Sequence, residues 1–206
     1  MTPSDRAPAA MPPAAATRSF SQYNAAQRGR PVRRLALRGA ELAGPAAGRT
    51  AVELGSGIGI EAAHLAGLGW EVRSYDADPS VEEPMRELAA RAPVTHRTVS
   101  LEDPGLVLPP CHLLLSCATL PFTRREAFPD LWRRIREAVQ PGGVLALDLF
   151  GDRDGWAGHE GTFLSRTEVE ELLDGLDVLD LEEREHEGRS FAGPKHWHVL
   201  TVLARA

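Results

Sequence analysis

Three glycines in five positions, Gly55, Gly57 and Gly59, follow residues 51–54, apolar but for the acidic Glu53, in the segment AVELGSGIGIEAAHL. Glycine reaches backbone dihedrals closed to other residues and leaves no side chain between the chain and a ligand, so such a run between a strand and a helix is the geometry of a cofactor loop. Asp76 lies 21 positions beyond Gly55, where a carboxylate closing the next strand accepts hydrogen bonds from ribose hydroxyls. That spacing suits a dinucleotide and a nucleoside cofactor equally; the glycines separate them. A dinucleotide loop needs G-x-G-x-x-G, whereas here the glycines run G-x-G-x-G and are followed by Ile60 and Glu61. A P-loop needs a lysine, and the sole lysine of the chain is Lys195.

A second set of reactive side chains lies near the carboxyl terminus. In KHWHVL, read as a strand, His196 and His198 share one face, and Lys195 and Trp197 the other. Histidine titrates near neutral pH, which makes His196, His198 and the upstream His159 the candidate catalytic bases. No third ligand completes a recognisable zinc pattern, so no metal is expected. The stretch DLFGDRDGWAGHEGTF carries Asp148, Asp152, Arg153, Asp154, Trp156, His159 and Glu160, and is longer than chain reversal alone requires. As a substrate lip it offers Arg153 to a carboxylate and Trp156 to an apolar or planar body. Its carboxylates flank an arginine and have no asparagine partner, which gives no support to magnesium.

The elements that must position these groups alternate. Val52 to Leu54 form a strand entering the glycine loop, and a helix from Ile58 to Leu68 leaves it, ended by Gly69. A second strand runs to Asp76, a helical segment spans about Ser80 to Ala90, and VTHRTVS is a third strand. The continuous apolar run from His112 to Cys117 reads as a central parallel strand. Phe128, Leu131, Trp132, Ile135 and Val139 recur at helical spacing until Pro141-Gly142-Gly143, after which VLALDLF is the fifth strand. Ser165 and Glu168 have capping-box spacing before Val169, Leu172 and Leu173. LDVLDLEEREHE and KHWHVLTVLAR then form an antiparallel pair joined by a polar stretch. The class is α/β: an open, mixed, seven-stranded sheet with helices on both faces, whose ligands bind beyond the carboxyl ends of the strands.

At 206 residues the chain supports one buried core. Residues 1–19, rich in proline, are expected to be a disordered tail, and 20–206 one domain. A net charge of -6 and no Lys/Arg block longer than a pair speak against a nucleic-acid partner. No run approaches about 18 consecutive apolar residues, so no membrane partner is expected. Cys111 and Cys117 are too few for a disulfide framework, which fits a cytoplasmic protein. One lysine among 23 basic residues, with abundant alanine and proline, fits a GC-rich bacterial genome.

The order of these motifs resembles the class I S-adenosylmethionine-dependent methyltransferase family. Glu53-Leu54-Gly55-Ser56-Gly57-Ile58-Gly59 matches its first motif, Asp76 the acidic residue ending its second strand, and Pro141-Gly142-Gly143 the turn before its fifth. The resemblance covers residues 20–206 and implies a Rossmann-like fold with S-adenosyl-L-methionine as cofactor. Gly55, Ser56 and Gly57 would pass beneath the methionine and ribose, Glu53 would orient the loop or meet the amino group through water, Asp76 would take the ribose hydroxyls, and Ala77 would lie against adenine. Ser100, Glu102 and Asp103 are alternatives for the adenine amino contact, with Glu102 favoured on chemistry and Leu101 beside it. Residues 20–45 would form a helical lid bringing Tyr23, and Gln27 at helical spacing from it, over the cofactor. Cys117 to Leu120 would line the methyl group, Cys117 against the cofactor, with Phe122 beginning an apolar wall.

The implied function is methyl transfer to an O, N or S atom of a small organic molecule, by a monomer or homodimer. The asparagine-proline-proline-aromatic signature of adenine and glutamine-amide methyltransferases is missing after strand four. The compact form is similar to tellurite-resistance and thiopurine-type methyltransferases, so detoxification of tellurite, selenium or thiols is the alternative; a non-catalytic S-adenosylmethionine-binding protein is another. Methyl transfer depends first on alignment, and on a base only when the acceptor is protonated.

Overall fold

The structure is a computed structural model that describes residues 16–206, with side chains from Phe20 onward. Helices α1 (Ala16–Ala26) and α2 (Arg34–Ala43) precede β1 (Thr50–Leu54), α3 (Ile60–Gly67), β2 (Glu71–Asp76), α4 (Glu82–Ala89), β3 (Val94–Thr98) and β4 (Cys111–Ser116). After these come α5 (Phe128–Ala138), β5 (Val139–Gly151), β6 (Phe163–Leu164), α6 (Arg166–Leu172), β7 (Asp177–Ser190) and β8 (Gly193–Arg205). The sheet order is β3-β2-β1-β4-β5-β8-β7, parallel from β3 to β5 and antiparallel across β5, β8 and β7. Seven strands lie on this path, as the alternation of elements predicts.

An eighth strand, β6, pairs Phe163 and Leu164 with Phe150 and Gly151, next to the part of β5 that extends beyond its last partner in β4, Ser116 opposite Leu147. Two residues are too few for alternation to mark them as a strand.

Successive strand residues feed two separate cores. Val52, Leu54, Leu114, Leu145, Leu147 and Val202 pack with Phe128, Leu131 and Ile135 of α5 and Val169 of α6. Ala51, Val72, Leu113, Leu115 and Ala146 pack on the other face with Ala36 and Ala40 of α2, Ala62 and Leu65 of α3, and Met85 of α4. The α5 stripe places Leu131 and Ile135 wholly out of water, each contributing roughly 1.5–3 kcal/mol. The capping box at α6 forms as expected: Ser165 Oγ accepts from the Glu168 amide at 3.2 Å and Glu168 Oε2 from the Ser165 amide at 2.7 Å.

Two expectations about the strands are corrected, and the amino-terminal segment is described further. Pro141-Gly142-Gly143 does not precede the fifth strand but lies inside it, because β5 starts at Val139 opposite Cys111 and bulges before Val144. The chain terminus holds that bulge, the Gly142 amide donating to the Ala206 carbonyl at 2.7 Å and the Ala206 amide to Gly143 at 3.0 Å. The polar stretch between the last two strands is itself ladder, paired from Gly188 opposite Lys195 to Ser190 opposite Gly193. Within residues 20–45 only α1 stands over the carboxyl edge; α2 is a core helix whose Leu35, Ala36, Ala40 and Ala43 are buried on the sheet. Finally, α1 begins at Ala16, inside the segment expected to be disordered, because no proline interrupts the chain between Ala14 and Arg30; the part of that expectation on residues 1–15 lies outside the described residues.

Close approach of α2 to β5 depends on Gly39, where a Cβ would lie 2.8 Å from Ala146 Cβ and 3.4 Å from Leu113 Cδ1. Gly39→Val should therefore destabilise by about 1–3 kcal/mol through overpacking. Gly67→Ala, at a helical site with nothing within 4 Å of the added carbon, should stabilise by about 0.5–1 kcal/mol. Thermal melts check both; a Gly39→Val protein melting at or above wild type would contradict the packing described.

Candidate functional site

The glycine loop lies at the carboxyl edge, between β1 and α3. Its amides are tied to the end of β2: Gly55 and Ser56 donate to the Tyr75 carbonyl at 2.7 and 3.3 Å. Asp76 closes the connection, its Oδ2 accepting from the Gly57 amide at 2.8 Å and its Oδ1 from the Asp78 amide at 2.9 Å. Gly55 has φ +81°, and a Cβ there would fall inside the Thr119 side chain. Thr119 is brought there by Ala118, the one non-glycine residue with positive φ among the described residues, at 56°. Left-handed backbone costs an alanine about 1–2 kcal/mol, so the surrounding structure imposes this turn at the end of β4. The sequence carries no signal for it.

Glu53 sits beneath the loop, 2% exposed, and its Oε2 has no hydrogen-bond partner among the described residues. Burial, and then the neighbouring Glu61 and Asp76, push its carboxyl well above the ordinary range. A buried, unpartnered acid at a carboxyl edge lacks a cation. Glu61, at the head of α3, is equally buried but fully paired, which its neutral helical neighbours did not reveal. Arg30 Nη1 and Nη2 donate to its two oxygens at 2.6 Å each, and the Arg33 amide adds a bond at 3.1 Å. Although burial alone would raise it, these partners leave the Glu61 carboxyl below its usual range.

That clamp sets α1 over the loop. Asn24 Nδ2 donates to Asp78 Oδ2 at 3.0 Å, and Arg33 Nη2 donates to Tyr23 Oη at 2.8 Å. The Tyr23 ring meets Phe191, at the tip of the β7–β8 hairpin, edge to face at 5.9 Å. Cys117 follows β4 directly, its thiol pushed well up by burial and then by Asp148. Ala77 is exposed just beyond β2. These residues, with Tyr23, Glu53, Gly55, Ser56, Gly57 and Asp76, gather at one edge of the sheet.

The adenine-side candidates fit less well. Leu101 is a core residue, 7% exposed. Glu102 accepts from the Arg124 amide at 2.7 Å and from Arg124 Nε at 2.6 Å, so its carboxylate is already engaged. Ser100 and Asp103 accept from backbone amides of their own turn. A local turn and one distant arginine compete for these groups, which spacing alone could not show.

On the acceptor side, Phe122 and Trp156 do come together, at 6.1 Å between centroids, in a cluster with Phe150 and Trp197. Phe122 also meets Phe20 of α1 edge to face at 5.2 Å. Trp156, however, is 9% exposed and faces inward on Lys195, whose Nζ lies 3.6 Å from the ring centres of Trp156 and Trp197 and 4.1 Å from that of Phe150. Lys195 pairs with Asp154 at 2.9 Å, both side chains wholly buried. Trp156 thus anchors the lip loop to the hairpin rather than presenting a surface to a substrate.

The remaining acceptor-side candidates have partners on β7 or in the lip itself. Arg153 donates through Nε to Glu185 at 3.0 Å and through Nη2 to Glu183 at 2.8 Å. His198 is fully buried; its Nδ1 accepts from the Arg153 amide at 3.1 Å and its Nε2 lies 2.8 Å from Glu183. Both ring nitrogens are used structurally, leaving none for a substrate proton. His196 lies 3.1 and 2.9 Å from Glu187 and Glu185, which raise its pKa. His159 lies in the turn after Trp156, its amide donating to the Trp156 carbonyl at 3.1 Å.

Asp148 is the acid the histidine reading overlooked. It lies within β5, not in the lip, and its Oδ1 accepts from Thr201 Oγ1 at 2.8 Å. Burial raises its pKa.

The Lys195 cage yields a stability test. Burial lowers the Lys195 pKa to about 8, so the ammonium is charged at pH 7 and balances Asp154. Lys195→Met would leave Asp154 with the Trp156 and His198 amides but no counter-charge, at a cost of about 3 kcal/mol. Adding Asp154→Asn should restore much of that loss. Melting curves at pH 7 decide: a single variant within 2 °C of wild type, by the conversion of roughly 2–4 °C per kcal/mol, would contradict the pair's role.

No family model matches the chain, and no curated protein matches it. Among solved structures, TehB from Haemophilus influenzae is similar with a TM-score of 0.74 and 17% identity, over 90% of this chain and 66% of that one, so the chain spans just under two thirds of that length. N-methyltransferase NodS from Bradyrhizobium japonicum WM9, in complex with S-adenosyl-L-homocysteine, is similar at 0.66 and 15% identity, over 92% and 97%. The 1,6-didemethyltoxoflavin-N1-methyltransferase of Burkholderia thailandensis, with bound 1,6-didemethyltoxoflavin and S-adenosylhomocysteine, is similar at 0.55 and 20%, over 93% and 78%. At such identities the likeness is one of architecture: the chain has the Rossmann-like α/β fold of S-adenosylmethionine-dependent methyltransferases.

Proposed function

We propose that the protein is an S-adenosylmethionine-dependent methyltransferase acting on a small organic molecule at an O, N or S atom. The observation that carries this reading is Glu53, buried beneath the glycine loop with an unpartnered Oε2. The cofactor's methionine end brings an ammonium, which is the partner a buried carboxylate there requires. Asp76 would hold the ribose beside the glycine loop, α1 would cover the loop through Tyr23 and Asn24, and Ala77 would border the adenine. Cys117 and the Ala118 turn would border the methionine side.

The bound cofactor supplies an electrophilic methyl group on sulfonium. The chain's own contribution is to fix the loop, exclude water and align the acceptor, which can account for much of such a rate enhancement. Phe20 and Phe122 give the acceptor side an apolar wall, each 37% exposed. Cys111 and Cys117 are free thiols, which suits a reducing cytoplasm. No helix among the described residues is long and apolar enough to cross a membrane.

Calorimetric titration tests this reading. S-adenosylmethionine and S-adenosylhomocysteine should bind, and NAD should give no heat. Asp76→Ala, which frees the Gly57 and Asp78 amides, should weaken binding at least tenfold, or about 1.4 kcal/mol. Unchanged affinity in that variant, or NAD binding in place of S-adenosylmethionine, would contradict it. Formation of S-adenosylhomocysteine with a panel of hydroxylated, carboxylated and thiol metabolites would then identify the acceptor class.

A further inference from the structure

A cavity of about 230 Å³ opens between the first half of α2 and strands β5, β8 and β7. Arg33, Arg34, Arg38 and Arg184 line it together with Asp148, Glu182 and Thr201. Four guanidiniums against two carboxylates make it positive in a chain whose net charge is -6. A cleft of one sign set in low-dielectric walls concentrates ligands of the other.

The arginines are not all spent on the protein. Arg38 pairs with Asp180 at 2.7 Å, and Arg33 is shared between Tyr23 and Glu61. Arg34 is exposed and makes no hydrogen bond or ion pair with the described residues, and Arg184 has one ion-pair partner among them, Glu182, at 3.5 Å. Asp148 uses Oδ1 for Thr201, while Oδ2 takes no hydrogen bond from the described residues. The cavity therefore offers donors for an oxyanion beside one free acceptor.

Two contacts join this cavity to the cofactor edge. Arg33 donates to Tyr23 on α1 and approaches Glu61 at 3.5 Å. Asp148 is close enough to Cys117 for its charge to act on the thiol. Phe191, 51% exposed, packs with Tyr23 at the hairpin tip and adds apolar surface.

We propose that this cavity binds a small organic monoanion, the arginines holding its carboxylate and Asp148 Oδ2 accepting a hydrogen bond from its hydroxyl or amino group, and that this molecule is the methyl acceptor. The last clause rests on the methyltransferase reading. A monoanion is favoured because a phosphate dianion would also meet Asp148 and Glu182, whose repulsion offsets part of what the arginines contribute. Guanidinium suits a carboxylate through two parallel donors.

The test is a titration of the ¹⁵N-labelled full chain at low ionic strength, where surface electrostatics are least screened, with 4-hydroxybenzoate, benzoate and 4-hydroxybenzamide. Saturable shifts of the Arg34 and Arg184 side-chain resonances with 4-hydroxybenzoate are expected, with at least tenfold weaker binding of the uncharged amide. Combining Arg34→Gln with Arg184→Gln should weaken 4-hydroxybenzoate at least tenfold while the melting curve shows a folded protein. Asp148→Asn should abolish the preference for 4-hydroxybenzoate over benzoate. Equal binding of acid and amide, or no effect of the arginine substitutions, would overturn the proposal. S-adenosylhomocysteine titrated separately into wild type keeps the two readings apart. If it binds and 4-hydroxybenzoate does not, the cavity proposal falls alone; if only 4-hydroxybenzoate binds through the arginines, the cavity stands as a binding site and its acceptor role falls.

Discussion

The burial of the Glu61 carboxylate at the head of α3 governs the placement of everything at the carboxyl edge. An ionised acid removed from water needs a counter-charge and hydrogen bonds, and Arg30 and Arg33 supply both from the segment linking α1 to α2. That one demand brings the amino-terminal helices against the glycine loop. It sets Asn24 on Asp78 and Tyr23 under Arg33, and it fixes the direction in which α2 enters the core.

The same edge separates its charges by function. Glu61 is neutralised by arginine, Asp76 is tied to backbone amides, and Glu53 alone is left without a partner for one oxygen. At the lip loop, Lys195 is buried against Asp154 and three aromatic rings. That pair joins the lip loop to the hairpin. One buried ion pair thus fastens each wall, α1 through Glu61 and the hairpin through Lys195, while Glu53 stands between them as an unpartnered acid.

What was legible in the sequence was local and periodic. The glycine loop, Asp76, the α5 stripe and the Ser165–Glu168 box follow from short-range geometry, and each lies where spacing puts it. What spacing does not reveal is the distant partner of a side chain. His198 reads as a candidate base until Glu183 and the Arg153 amide occupy both its nitrogens. Glu102 reads as a cofactor contact until Arg124 takes it. Trp156 lines a pocket in the linear reading, but Lys195, thirty-nine positions later, turns its face inward. Asp148 falls in both VLALDLF and the lip stretch in the linear reading, and β5, which runs on to Gly151, keeps it in the sheet.

The most direct measurement of the central claim is the proton balance of S-adenosylmethionine binding, obtained by calorimetry at pH 6 in buffers of different ionisation enthalpy. The raised pKa of Glu53 means that the free protein tends to hold it protonated; an arriving ammonium favours the carboxylate, so its proton must leave. Binding should release protons, affinity should rise with pH, and Glu53→Gln should remove that release. Binding of S-adenosylmethionine with no proton released by wild type, or with the same release from Glu53→Gln, would contradict the account.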